Sequence, residues 1–339
     1  RLEWIDLGLT CARIEKFQTL PNTWVKRNDD ISLIYGGNKA HRLAYMLGEA
    51  KKQGKSHVIT LGSLGSNHCV ATAAYCNFLG MKCTTLLGPQ PLTEYVRNNL
   101  KRLIYYKADV RYINSNMLVG VAFYSWLRLR YPRAYFIGIG GSGSLGMLGA
   151  LTPVFELGEQ IREGELPEPD VIYYPTASNG GLAALAVGLY LQNIKSKIIG
   201  VRTGTSYIGP IALNTEKTVR NAVYELSKKL KALKVPLIMP EKISVPELEN
   251  NYFGSGYGQL TSEGRAAMEY FKKNESIELD PCYTAKACAC LLDQKQSEDK
   301  KVLYWHTYSS VGLNKEMEKI NIDSFLFEKK ARCTESSPN

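Results

Sequence analysis

From residue 56 onward the chain alternates short apolar runs with longer stretches of helical period. Ser56-His57-Val58-Ile59-Thr60-Leu61 is a short β-branched run that ends in Gly62-Ser63-Leu64-Gly65-Ser66-Asn67. Residues 70–79, rich in alanine, read as a helix stopped by Gly80. The unit then repeats: a strand over 82–87, a Gly88-Pro89 turn, a helix over 92–105 and a strand over 109–113. A second series has a strand over 170–174, a loop over 175–181, an Ala/Leu-rich helix over 182–192 and a strand over 197–201. An amphipathic helix over 214–233 and a late strand over 302–306 complete it, and 40–51 reads as a further helix. Strand–helix–strand repeats at this spacing predict an α/β fold with parallel sheets covered by helices. The tail over 329–339 is polar.

Composition narrows the class. A chain of 339 residues suggests about two domains. Its 45% hydrophobic and 22% charged residues exclude a disordered chain. The most apolar stretch, 136–155, is broken by Gly140-Gly141-Ser142-Gly143-Ser144, so no membrane span is expected. The net charge of +10 is dispersed, as at Lys228, Lys229, Lys231 and Lys234. With no zinc-finger or RNA-recognition signature, that charge reads as a solvated basic face, and no nucleic-acid partner is expected. Eight cysteines in a chain this long form no disulfide framework and contain no CxxC pair, so no metal is expected and the compartment reads as reducing: intracellular, cytoplasmic or organellar. Cys69, Cys76 and Cys83, seven residues apart, read as packing residues along a helix and into the next strand. The chain starts at Arg1 rather than Met, as expected if a leader has been removed, and targeting is not legible in it.

Three polar loops end three strands, where open parallel sheets bind ligands. They are Gly62-Ser63-Leu64-Gly65-Ser66-Asn67-His68, Ala177-Ser178-Asn179-Gly180-Gly181 and Thr307-Tyr308-Ser309-Ser310. The second offers small residues before a helix N-terminus, which suits a phosphate; it equally suits an ordinary tight turn. Asn179 there tolerates a left-handed backbone. Lys39 follows Gly36-Gly37-Asn38 just ahead of a helix. A lysine in that place is either a solvated surface group or, once desolvated, an amine able to form an imine with a carbonyl cofactor.

These segments carry a resemblance. Val25-Lys26-Arg27-Asn28-Asp29-Asp30, Gly36-Gly37-Asn38-Lys39, Ser66-Asn67-His68, Ala71-Thr72-Ala73-Ala74, Gly140-Gly141-Ser142 with Leu145-Gly146, the 177–181 loop, Gly256-Tyr257-Gly258, Asp280-Pro281-Cys282-Tyr283-Thr284-Ala285-Lys286-Ala287 and His306-Thr307 occur in order over almost the whole chain. In that order they resemble the fold-type-II pyridoxal-phosphate enzymes, in the D-cysteine desulfhydrase and 1-aminocyclopropane-1-carboxylate (ACC) deaminase group. The resemblance implies two three-layer α/β domains with mostly parallel sheets, like the tryptophan synthase β chain. Residues 1–44 with 152–328 would form the large cofactor-binding domain and 45–151 the small one. It also implies a homodimer.

Carried over residue by residue, the resemblance makes Lys39 the lysine that holds pyridoxal 5'-phosphate and moves the substrate's α-proton. Asn67 is then the partner of the pyridine 3-hydroxyl, and Ser66 the holder of the substrate carboxylate. Ala177, Ser178, Asn179, Gly180 and Gly181 hold the phosphate. Tyr257 and Tyr283 lie near the substrate, and Thr307 faces the pyridine nitrogen. A neutral hydroxyl cannot keep that nitrogen protonated as a carboxylate can, which suits quick loss of a β-substituent. The deaminase branch has Glu at the position of Thr284 and Leu at that of Thr307, so both favour the desulfhydrase side. Tyr308-Ser309 where Gly-Gly is usual, Gly65 where Gln is common, and Asn179 where Gly is usual depart from the pattern. The expected activity is a lyase or deaminase acting on a small amino acid, with D-cysteine the first candidate. An ACC deaminase, a divergent amino-acid lyase and a non-catalytic cofactor-binding protein are the alternatives.

Overall fold

The computed structural model describes residues 3–236, 239–294 and 299–323, and the polar tail over 329–339 lies outside them. The chain divides into two compact units. One comprises Asp6–Tyr45 and Gly141–Ser310; the other comprises Met46–Gly140 with residues 3–5 and 311–323. In chain order the strands are β1 (Arg13–Lys16), β2 (Thr23–Arg27), β3 (His57–Ser63), β4 (Lys82–Gly88), β5 (Asp109–Tyr112) and β6 (Tyr135–Ile137). There follow β7 (Val171–Thr176), β8 (Lys197–Arg202), the short hairpin β9 (Tyr207–Ile208) and β10 (Ile211–Ala212), β11 (Glu247–Glu249) and β12 (Val302–His306).

The larger unit carries a six-stranded sheet in the order β1-β2-β12-β7-β8-β11. β1 pairs antiparallel with β2, and every other pair is parallel. Alternation along the strands sorts two cores. Ile172, Tyr174, Ile198, Leu303 and Trp305 pack with the helices Thr152–Arg162, Gly180–Leu191 and Glu216–Ala232. Val171, Tyr173, Ile199, Val201, Val302 and Tyr304 pack with Ser262–Asn274 and Thr284–Asp293. Burial on both faces is why these strands read as continuous apolar runs rather than alternating ones. Gly180–Leu191 is buried on nearly every side, which its all-round apolar sequence requires. The helix expected from 214 starts at Glu216, because Thr215 accepts from the Thr218 amide and Thr218 returns the bond.

The smaller unit carries a four-stranded, wholly parallel sheet in the order β5-β4-β3-β6. Ile59, Leu61 and Leu86 form one face with Val119, Phe123 and Leu127 of the helices Asn116–Tyr124 and Trp126–Arg130. The helix Asn67–Phe78 packs on β3 and β4 and ends at Gly80, whose φ of 68° no β-carbon favours. Cys69 and Cys76 lie buried on that helix and Cys83 in β4, as packing residues; burial pushes the Cys69 thiol up to about 12. Residues 311–323 are fastened to the helix Glu94–Tyr105 by Arg102 Nη2 to Val311 O (3.1 Å), Lys101 Nζ to Glu318 O (2.9 Å) and the Arg97–Asp323 ion pair (2.8 Å). Among the described residues no helix is long and apolar enough to cross a membrane.

The larger unit buries an unusual set of charged and basic groups. Lys26 donates to Gln160 Oε1 (2.6 Å), lies 3.7 Å from Glu156 and sits over the Trp305 ring. Asp29 is gripped by Arg27 through two bonds of 2.8 Å, and Arg27 also reaches Glu15 (2.7 Å). Burial pushes Asp29 up, but the Arg27 hydrogen bonds and His306 outweigh it and leave its carboxyl below the usual value. His41 and His306 are buried, and burial pushes both down to about 4, with Lys26 adding to the effect on His41 and Asp29 opposing it on His306. Both histidines are therefore neutral in the folded chain at pH 5, where the unfolded chain holds them protonated. Stability contributed this way is complete above about pH 6.5 and falls as pH drops toward 4, by roughly 3 kcal/mol per histidine at the limit. The thermal midpoint is expected to fall steeply from pH 7 to pH 5, and replacing His41 and His306 by Gln should flatten that slope. A slope unchanged by both replacements would contradict the assignment.

Candidate active site

The strand order places β2, β12 and β7 side by side, so the segments that follow them leave the same end of the sheet. After β2, Asn28 O accepts from Gly37 N (2.6 Å). After β12, Thr307 O accepts from Asn38 N (3.1 Å), and Ser309 Oγ accepts from Gly36 N (2.9 Å). A β-carbon on Gly36 would strike the carbonyl of Asp29, and one on Gly37 would lie 2.6 Å from Thr307 O and 2.9 Å from Tyr308 O. The two glycines are thus required by contact, and Gly37 also has a φ of 84°. Ser309, at a position where the sequence departs from Gly-Gly, has a defined use: its hydroxyl ties this loop to Gly36.

Lys39 follows directly, and its carbonyl accepts the first-turn bond from Leu43 N (3.0 Å). It keeps some solvent-accessible surface, yet protein atoms crowd its amine. That desolvation, with the nearby Arg42 guanidinium second, holds Lys39 well below the ordinary lysine range. An amine whose charged form burial disfavours in this way is a nucleophile and a base.

The loop after β7 forms a cup. Asn179 takes the left-handed conformation (φ 58°, ψ −20°) and starts the helix Gly180–Leu191. Its side chain turns to Thr218 Oγ1 (2.8 Å) and Leu213 O (3.0 Å), so it braces the neighbouring helix and gives the cup only its backbone. Ser178 Oγ accepts from Ser142 Oγ (2.7 Å), which accepts from Arg42 Nη1 (3.2 Å). A β-carbon on Gly180 would lie 2.8 Å from Ser142 Oγ, and one on Gly181 would collide with the Tyr174 hydroxyl and Arg42. Tyr174 OH in turn accepts from Asn38 Nδ2 (3.2 Å), linking cup and lysine loop. Ser142 and Arg42 are functional candidates that sequence reasoning did not single out. Ser142 lay inside a quoted motif, whereas Arg42 carried no signal beyond its distance of one helical turn from Lys39.

Elsewhere in the same unit, the hydroxyls of Tyr257 and Tyr283 bond each other. Burial pushes Tyr283 well above the usual phenol value, with Tyr257 adding to the effect. Thr284 Oγ1 donates to Asp280 Oδ2 (2.9 Å) and accepts from Asp280 N (2.7 Å), so its one proton is used within its own turn. Ser66 and Asn67 belong to the smaller unit. Ser66 caps the helix Asn67–Phe78 by accepting from Cys69 N (3.3 Å). Asn67 Oδ1 accepts from Tyr95 OH (2.6 Å) and Asn99 Nδ2 (3.0 Å). Gly65 is filled in by Gln90, whose Oε1 accepts from its amide (2.9 Å).

An amine of suppressed basicity, a cup of obligatory glycines at a helix N-terminus and a buried arginine beside that cup together suit a phosphorylated carbonyl compound. Residues 9–307 match the family described as "Pyridoxal-phosphate dependent enzyme". The chain belongs to that family. It is a pyridoxal-phosphate enzyme of the α/β fold the sequence predicted, and the chemistry of the 177–181 loop and Lys39 fits the cofactor. The D-cysteine desulfhydrase of Serratia proteamaculans (strain 568) is 29% identical over 327 residues, covering 91% of this chain and 94% of that one. That of Klebsiella pneumoniae (strain 342) is 31% identical over 304 residues, covering 86% and 87%. A crystal structure of an ACC deaminase homologue is similar with a TM-score of 0.78 at 26% identity, covering 97% of each chain.

The cup makes a direct prediction. Gly180→Asp puts a side chain against Ser142 and a negative charge at the helix N-terminus, so affinity for pyridoxal phosphate should drop at least about tenfold while the fold survives. Reconstitution of the apoenzyme, followed by cofactor absorbance and circular dichroism, checks it; unchanged affinity would reduce the loop to a connector.

Proposed function

We propose that this chain is a lyase that eliminates the β-substituent of a small D-amino acid, with D-cysteine as substrate and pyruvate, ammonia and hydrogen sulfide as products after one water is taken up. The observation that carries the reading is the Gly36–Lys39 turn, locked to Thr307 and ending in an amine whose charged form burial disfavours. The similarity to proteins named D-cysteine desulfhydrase supports the substrate.

Bound pyridoxal phosphate supplies the electron sink. Lys39 Nζ would hold it and take the substrate's α-proton. Ser178, Gly180 and Gly181, with the backbone of Ala177 and Asn179, hold the phosphate, and Arg42 and Ser142 add charge and a hydroxyl behind them. Ser66 binds the substrate carboxylate and Asn67 the pyridine hydroxyl. Thr307 would offer the pyridine nitrogen a neutral hydroxyl, which suits quick loss of a β-substituent. The hydrogen-bonded hydroxyls of Tyr257 and Tyr283 would supply a proton to the departing group.

ACC deamination is the second reading, favoured by the similarity to an ACC deaminase homologue. Threonine at 284 and 307 speaks against it. The family resemblance supports a homodimer, and the seven described cysteines, all free thiols, support a reducing compartment.

Two experiments test the reading. Purified chain supplied with the cofactor should show a visible band that borohydride bleaches, leaving the label on Lys39; no band and no labelled lysine would end the enzyme reading. The chain should also release pyruvate from D-cysteine or β-chloro-D-alanine faster than 2-oxobutyrate from ACC. If the label sits on Lys39 and no β-substituted D-amino acid reacts, the desulfhydrase assignment is wrong.

A further inference from the structure

The tyrosine pair rests on two very different supports. Tyr283 is fixed by its own turn. Asp280, buried, accepts through Oδ1 from Cys282 N (2.9 Å) and Tyr283 N (2.8 Å), and through Oδ2 from Thr284 N (3.1 Å) and Thr284 Oγ1 (2.9 Å). The helix Thr284–Asp293 grows from that clamp. Tyr257, by contrast, lies in the irregular stretch 250–258, between Gly254 and Gly258, both at positive φ. Such a segment has little internal backbone bonding to set a hydroxyl position.

Part of what holds the segment comes from the Tyr283 helix itself, and part from β8, whose Arg202 donates from Nε to Asn250 Oδ1 (2.6 Å). Lys286, fully buried, donates from Nζ to Phe253 O (2.5 Å) and lies 5.1 Å from the Phe253 ring centre. Arg202 stacks on the same ring at 4.4 Å. One residue earlier, Tyr252 OH donates to Asp293 Oδ2 (2.5 Å) at the far end of the helix. A buried ammonium is costly, and a packed apolar side chain would fill the same space at less cost. Its specific product is a charged hydrogen bond to one carbonyl, four residues before Tyr257.

We propose that Lys286 is a positioning residue, which straps the 250–258 segment to the Tyr283 helix and thereby sets the Tyr257–Tyr283 hydroxyl contact. The consequence for turnover rests on the role given to the tyrosines above; the geometric claim does not. Displacement of a reacting group by about 1 Å can cost on the order of 100-fold in rate.

The test uses the full-length holoenzyme with Lys286→Met, Lys286→Arg, Tyr257→Phe and Lys286→Met combined with Tyr257→Phe. With β-chloro-D-alanine, Lys286→Met should lower kcat by about tenfold or more, leaving cofactor content and Lys39 labelling unchanged, and Lys286→Arg should recover most of the loss. In the Tyr257→Phe background the same change should cost less than about threefold, because the strap then has nothing to position. Carbon-13 at tyrosine Cζ gives a readout independent of turnover: when Lys286 is removed, the Tyr283 titration should lose the part of its upward shift that comes from Tyr257, while the part due to burial stays. A Lys286→Met chain that loses thermal stability alone, with kcat and the Tyr283 titration unmoved, overturns the proposal, as does a full rate loss on top of Tyr257→Phe. If Lys286→Met does not fold, Tyr252→Phe loosens the second tie and must show the same kinetic and spectroscopic signature, or the proposal fails. If Tyr257→Phe leaves kcat untouched, the tyrosine role in the reaction falls, and the carbon-13 titration still decides the strap.

Discussion

Backbone touching backbone at Gly36 and Gly37 is the constraint from which the catalytic end of the larger unit is built. The Asp29 carbonyl occupies the place of a Gly36 side chain, and the Thr307 and Tyr308 carbonyls occupy that of Gly37. Three hydrogen bonds then pin the turn to the ends of two strands. Lys39 therefore leaves the chain at a point set by the sheet rather than by its own flexible stem. The grip of Arg27 on Asp29 lies directly behind this contact, so a buried ion pair helps set where the amine stands.

Charge explains why the arrangement is not simply a stable loop. Lys39 and Arg42 leave the same first turn of one helix, and burial disfavours the charged form of both. Positive charge on either group is unfavourable there until an anion joins it. Binding of a phosphate relieves that cost, so cofactor affinity and thermal stability are coupled in the folded chain.

The parts of the fold legible in the sequence were those with a strong local period. Strands 57–63, 82–88, 171–176 and 197–202 and their following helices stand within a few residues of expectation, since buried β-branched runs and Gly-stopped helices leave little choice. The antiparallel edge of β1 and β2 was not legible, because Arg13–Lys16 and Thr23–Arg27 are rich in charged residues whose partners lie in the tertiary structure. In the site, the lysine and glycines announced themselves by pattern. Arg42 did not, since one arginine in a helix looks like any other. By sequence Asn179 is a cup residue, yet its amide group reaches away to Thr218, a choice that depends on a helix over thirty residues later. Gly65 shows the reverse, a lost side chain made good by Gln90 from the following strand's exit loop.

The order of the six-stranded sheet also governs how the chain must be assembled. β12 is a central strand with β2 on one side and β7 on the other, yet it lies at residues 302–306. All four strands of the smaller unit have been synthesised by residue 137. The larger sheet cannot close until residue 306 has left the ribosome, at roughly 5–20 residues per second. Until then β2 and β7 each present an open edge of unpaired amides, the kind that recruits foreign strands. Nascent chains stalled before residue 302 would thus be adhesive rather than merely inactive, and such a protein has reason to depend on chaperones during its synthesis rather than after it.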